Sequence, residues 1–174
     1  DENMDWAEKL ILFIIDRVLK NRLTELENLG RDIDKLKQIS TPFPRVTYTE
    51  CVTLLNEGGI QFKWGDDFGA AEETFIGEQF NQPVIVHRFP SNIKAFYMKR
   101  DPENDKVVLG MDVIAPEGFG EIVGGSERET EIDLLIKRIE EEGLNQVDYE
   151  WFLDLRRYGS VPHAGFGMGI ERVV

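Results

Sequence analysis

Gly165-Phe166-Gly167-Met168-Gly169-Ile170-Glu171-Arg172-Val173-Val174 are the last ten residues of this 174-residue sequence, and they restrict its fold more than any other stretch. Glycine at every second position is costly inside a helix but natural in a strand, where alternate residues share a face. Phe166, Met168 and Ile170 would then point to one side of an extended segment. The missing Cβ atoms at 165, 167 and 169 would leave the other side open to a planar or phosphorylated group. Arg172 adds a fixed fork of donors suited to phosphate or to stacking on a base. A buried strand using glycine only for close packing accounts for the same pattern, so the surrounding sequence has to decide.

A chain of this length is one domain's worth, and 41% hydrophobic residues is ordinary for a globular core. The longest apolar run, Leu10 to Ile15, is far too short to span a bilayer, and no charged-then-apolar leader precedes it. No membrane association is therefore expected. Cys51 stands alone, which excludes a disulfide framework and fits a reducing, cytoplasmic compartment. The formal net charge of −13 disfavours this chain as the main electrostatic contact for a polyanion. A nucleic-acid partner would have to be gripped by other sequence. The run Glu140-Glu141-Glu142 reads as a solvated helix face.

Apolar residues at Trp6, Leu10, Ile14, Val18, Leu23 and Leu26 predict one amphipathic helix from Met4 to about Leu29. Asp32 is a good N-cap for a short helix through Ile39, closed by Ser40-Thr41-Pro42. Thr47 and Glu50 have capping-box spacing, so a helix should start near Tyr48 and end at Gly58-Gly59; another is expected over Ala70 to Phe80. Val84 to Phe89 and Ala95 to Met98 are β-rich, and the latter should meet Val107 to Leu109 across the turn Asp101 to Asp105. A strand at Glu121 to Val123 and helices at about 129–142 and 148–155 complete the order. Helices, then antiparallel strands, then helices and a glycine-rich strand indicate an α+β domain with an antiparallel sheet flanked by helices.

Asp112 and Glu121 fall on successive strands joined by a glycine-bearing connection, so both carboxylates can face one hollow. Apolar neighbours suggest burial, and buried acids need a partner, for which Mg²⁺ carrying phosphates is a natural candidate and a basic side chain the plain alternative. Arg128 follows Gly124-Gly125-Ser126, where a small ligand could approach, and could read a carboxylate or amide carbonyl through two hydrogen bonds. Pairing with Glu131 one helical turn on is its structural alternative. His163 could touch a polar ligand beside the glycine strand, although a lone loop histidine is more often structural. No His/Cys spacing suggests zinc.

Together these segments resemble the class II aminoacyl-tRNA synthetases of the aspartyl/asparaginyl branch. Gly167-Met168-Gly169-Ile170-Glu171-Arg172 is similar to that class's ATP-binding motif 3. Phe89 to Met98, Met111 to Pro116, Gly120 to Arg128 and Arg157 to His163 resemble the asparaginyl members. The resemblance covers nearly the whole chain and implies a class II catalytic-domain fold. It places Gly169, Ile170, Glu171 and Arg172 at ATP, with Arg172 near the γ-phosphate and adenine. Asp112 and Glu121 become Mg²⁺ ligands at the triphosphate. It makes Arg128 the amino-acid side-chain reader, with Gly124 and His163 beside it, and counts Arg172, Glu121 and Arg128 as the catalytic set. Aspartyl enzymes typically have a serine where this chain has Gly124, which favours the asparaginyl branch.

The implied activity is ATP-dependent activation of asparagine and its transfer to tRNA(Asn), in an enzyme that is a homodimer at full length. Two alternatives keep the same fold: a paralogue that amidates aspartate with ammonia, and a binding module that has lost catalysis. Motif 1, the motif 2 loop and the anticodon-binding barrel have no counterpart in residues 1–174. The expectation is therefore the C-terminal part of one catalytic domain, with motif 3 at 165–174, rather than a degenerate paralogue.

Overall fold

Amphipathic helix α1 (Glu2–Asn21) begins the fold, in a computed structural model that describes residues 1–173. Val174, the last residue of the glycine-rich segment, lies outside the described residues. The single helix expected to Leu29 is two: at Arg22 the backbone leaves helical geometry (φ −139°, ψ 32°), and α2 (Leu23–Asn28) restarts beyond it. Just before the break the Asn21 side chain donates to the Arg17 carbonyl at 2.6 Å, the kind of local bond with which asparagine competes against helix continuation. The packed stripe is also rotated from the one expected. Ala7, Glu8 and Ile11 are buried while Trp6 is 57% exposed, because Glu8 is drawn inward to Arg45 (2.9 Å).

Helix α3 (Ile33–Gln38) starts at Asp32, whose carboxylate accepts from the Asp34 and Lys35 amides. Strand β1 (Arg45–Thr47) leads into α4 (Tyr48–Glu57) through the expected Thr47/Glu50 capping box. Next come α5 (Ala70–Glu78), β2 (Val84–His87), β3 (Arg100–Asp101), β4 (Asn104–Val108), β5 (Gly110–Ala115) and β6 (Gly120–Glu127). Helices α6 (Ile132–Glu141) and α7 (Glu150–Arg157), strand β7 (Ala164–Met168) and the short α8 (Ile170–Val173) follow.

The main sheet runs β1-β2-β5-β6-β7; β3 and β4 form a separate two-stranded ladder. All main-sheet neighbours are antiparallel except β1 and β2, so the sheet is mixed rather than wholly antiparallel. The intervening α4 and α5 supply the crossover that a parallel pair requires. The strand expected at Ala95–Met98 is absent. Met98 forms one bridge to Arg128, and the ladder with β4 starts later, at Arg100. The reason is Phe96, whose ring is claimed by a cluster with Tyr149 and Phe152 under α6 and α7 and is packed edge-on against both.

Two further clusters lie on opposite faces of the sheet. Met111, Val113, Ile122 and Val123 pack with Ala7 and Ile11 of α1 on one face. Val84, Val86 and Ile114 pack with Tyr48, Cys51 and Ile76 of α4 and α5 on the other. Burial pushes the Cys51 thiol up to about 12, so it behaves as a small core residue. Tyr48 is fully buried, and its hydroxyl donates to the Asp66 carbonyl (2.6 Å) while accepting from the Gly65 amide (3.0 Å). Tyr48→Phe should cost about 1–3 kcal/mol by leaving both loop groups unpaired. The cost is read from urea unfolding, and a change below a few tenths would show that the loop re-forms without the hydroxyl.

Candidate functional site

Gly124 and Gly167 lie side by side in the β6–β7 ladder, and Asp112 faces Gly124 across β5–β6. Paired residues share a face, so these positions form a floor on the α4/α5 side of the sheet, with no side chain at two of its three places.

Glu121 reaches that floor through a β-bulge. Val113 pairs with Val123 but Ile114 pairs with Glu121, which leaves Ile122 as the extra residue. Three residues from Gly124, Glu121 would otherwise face the α1 side. The inserted Ile122 sends itself and Val123 into the α1 cluster and returns Glu121 to the face of Asp112. A Cβ added to Gly124 would lie 2.6 Å from Glu121 Oε1 and 3.5 Å from Asp112 Oδ1, so both carboxylates converge over this glycine. The Glu73 carboxylate of α5 accepts from the Glu121 amide at 3.0 Å and fixes the start of β6.

Asp112 is only 7% exposed, and Lys94 Nζ donates to its Oδ2 at 2.6 Å. Burial raises its pKa to about 7; Lys94 opposes the rise, and the charges of Glu121 and Asp67 add to it. Between about pH 4 and pH 7 the folded chain therefore holds a proton that the unfolded chain has lost, so the cation-free protein should lose stability as pH rises through that window. Thermal unfolding at pH 5 and pH 8 checks the sign against Asp112→Asn, whose melting temperature should fall less across the same interval. Equal falls would place the pH dependence elsewhere.

At one end of the floor, Arg172 Nη1 donates to the Glu121 carbonyl at 2.6 Å from an exposed position on α8. Gly169 N donates to the Ile122 carbonyl, and the Gly169 carbonyl accepts from the amides of Arg172 and Val173, so the chain turns into α8 directly over the bulge. Glu171 lies beside that turn, with its Oε1 3.2 Å from where a Gly169 Cβ would be. Ile170 does not continue the apolar face of Phe166 and Met168. The strand stops at Met168 and Ile170 is 75% exposed on α8.

At the other end, Arg128 donates to Ser126 Oγ at 2.7 Å and to the Gly165 carbonyl at 3.4 Å, and its guanidinium lies 4.8 Å from the Tyr97 ring centroid. Among the described residues it has no carboxylate partner, Glu131 included. It is thus a half-buried cation held by neutral groups. His163 contributes through its backbone, whose carbonyl accepts from the Arg128 amide at 2.9 Å. Its ring is exposed, with Nδ1 2.8 Å from the Val161 carbonyl. The residue lines a cavity of about 400 Å³ with Met4, Met111 and Glu127, on the α1 side of the sheet rather than over the glycine floor.

The structure therefore joins Asp112, Glu121 and Gly124 in one cluster, sets Gly169 and Arg172 at one end and Arg128 at the other, and separates the His163 ring from them. Lys94, Glu73 and Tyr97 were not legible as site residues. Lys94 and Tyr97 lie in the segment Phe89 to Met98, which stood out only as a whole by its resemblance to the asparaginyl members and, from Ala95, by a β-rich pattern, and Glu73 looks like any acid in a helix's first turn. No group of three or more His, Cys, Asp or Glu able to hold a metal occurs among the described residues.

The chain matches the family described as tRNA synthetases class II (D, K and N) over residues 1–174. An asparagine–tRNA ligase of Desulforamulus reducens is 56% identical over the whole chain, which spans 41% of that relative's length. The asparaginyl-tRNA synthetase of Pyrococcus horikoshii complexed with asparaginyl-adenylate superposes with a TM-score of 0.95 at 49% identity, over 98% of this chain and 39% of that one. An aspartyl tRNA synthetase from Entamoeba histolytica matches at 31% identity with a TM-score of 0.86, over 99% of this chain and 36% of that one.

Proposed function

The chain belongs to the class II tRNA synthetases of the D, K and N group, and from that premise we propose that it forms the amino-acid and nucleotide floor of an asparagine–tRNA ligase. The observation that carries this reading is the floor itself: a side-chain-free strip with converging carboxylates and a cation at one end and Arg128, bound to no acid, at the other. A linear acyl-adenylate fits such a strip, phosphate toward Glu121 and Arg172, amino-acid side chain toward Arg128. The names of the relatives, asparagine–tRNA ligase, agree with a polar amide as the group that Arg128 reads.

The residues fit Mg²⁺. Two carboxylates whose oxygens converge over Gly124, with Lys94 as the only cation paired with either among the described residues, offer hard oxygen donors, and Mg²⁺ is commonly held by one or two carboxylates together with substrate phosphates and waters. Asp112 and Glu121 would hold it, and when bound it would neutralise charge on the triphosphate. Arg172 would bind the γ-phosphate side and cover the adenine, with Gly169, Ile170 and Glu171 as the adjoining wall. Arg128 would orient asparagine, with Gly124 leaving room and His163 bracing the Arg128 backbone. The asparagine carboxylate, already ionised, then attacks the α-phosphorus and expels pyrophosphate; no general base is required, and catalysis is positioning and charge stabilisation. The ribose hydroxyl of the tRNA end next displaces AMP from the acyl group.

The chain spans about 40% of the length of the curated relatives it matches, so the remaining strands, the grip on tRNA and a homodimer interface are assigned to sequence outside residues 1–174. No helix among the described residues is long and apolar enough to cross a membrane; a cytoplasmic site of action accords with the reading. The test is exchange of labelled pyrophosphate into ATP by the full-length protein. Asparagine should support exchange and aspartate should not. Aspartate-dependent exchange, or synthesis of free asparagine from aspartate and ammonia, would overturn the assignment.

A further inference from the structure

Lys94 sits where it can decide when the carboxylate pair accepts a cation. Its Nζ donates to Asp112 Oδ2 at 2.6 Å and lies 4.0 Å from the Phe89 ring centroid, and its side chain is 15% exposed. Its backbone is held independently. Arg138 of α6, itself 5% exposed, donates through Nη2 to the carbonyls of Ser91 (2.8 Å) and Lys94 (3.0 Å), so a helix outside the site fixes the loop that delivers the ammonium. Among the described residues Lys94 is the only cation ion-paired with either carboxylate.

Two consequences follow from charge and geometry. Lys94 occupies Oδ2, leaving only Oδ1 of Asp112 to face Glu121 over Gly124. Where both acids are ionised it also cancels one of their two negative charges, which weakens their pull on a small divalent cation that dehydrates reluctantly. Nucleotide phosphates would supply the missing negative charge. We propose that Lys94 is a positioning residue that keeps the Asp112–Glu121 pair from taking a divalent cation until nucleotide brings it. This rests on the nucleotide-site reading above and extends it to the order of binding.

The measurement is Mn²⁺ titration of the full-length protein by electron paramagnetic resonance, with and without ATP. Without ATP, wild type should bind Mn²⁺ weakly. Lys94→Met should bind it at least about tenfold more tightly, as removal of a contacting positive charge in a half-shielded site requires. Lys94→Arg should restore the wild-type value, and adding Asp112→Asn to Lys94→Met should abolish the gain. A nucleotide-free affinity in Lys94→Met equal to or weaker than wild type, or a gain that survives in the double variant, overturns the proposal. Should Lys94→Met fail to fold by circular dichroism, Lys94→Gln takes the same test. Wild-type protein that binds no Mn²⁺ even with ATP present would instead overturn the nucleotide-site reading, and this inference with it.

Discussion

Gly124→Ala should lower asparagine-dependent pyrophosphate exchange by on the order of 10²–10³ while leaving the fold intact. The added Cβ falls 2.6 Å from Glu121 Oε1, closer than side chains tolerate, and the carboxylate is the part free to move. Gly124 pairs regularly on both sides and has no positive φ, so alanine suits its backbone. Displaced by an ångström, Glu121 no longer converges with Asp112, and a misplacement of that size can cost about a hundredfold. Gly167→Ala is the companion variant. Its Cβ would meet nothing within 4 Å, so any rise in the ATP requirement reports ligand lying on the floor rather than rearranged protein. Unchanged kcat/KM in Gly124→Ala would show that the convergence of the two acids is not used.

Arg128→Ala should raise the asparagine requirement far more than the ATP requirement. It removes a charged donor whose present partners, Ser126 Oγ and the Gly165 carbonyl, are neutral and leave its charge uncompensated. A hydrogen bond to a charged group is worth roughly 1.5–3 kcal/mol, equivalent to about a ten- to 150-fold rise in KM for asparagine. Arg128→Lys should recover only part of the loss, because an ammonium cannot lie along the Tyr97 ring while presenting two parallel donors. Equal effects on both substrates would make Arg128 a support for β7 instead of a reader of the amino acid.

What local sequence could encode, it encoded legibly. The glycine alternation marked β7 because period two belongs to strands. Thr47 and Glu50 marked the start of α4 because a capping box is satisfied within one turn. Asp112, Glu121 and Arg128 stood out because acids and an arginine amid apolar and glycine residues need an explanation that a surface position does not. The apolar neighbours also pointed to burial of both acids, which holds for Asp112, 7% exposed, while Glu121 is only half-buried.

Which face each residue occupies was decided by tertiary structure. Counted by twos, Glu121 and Gly124 belong on opposite faces, and only pairing with β5 inserts Ile122 and brings them together. The parallel β1–β2 pair depends on the path of α4 and α5, and the loss of the strand at Ala95–Met98 depends on Phe96 finding a better-packed site under α6 and α7. Lys94 was invisible for the same reason. Its partner lies 18 residues away in sequence, and the contact exists because Arg138, 44 residues beyond Lys94, holds its loop in place. Residue type and short-range spacing thus set what chemistry the chain could hold, while register, bulge and long-range packing set which groups meet, because a side chain's direction in a sheet is fixed by its neighbour strand and not by its own sequence.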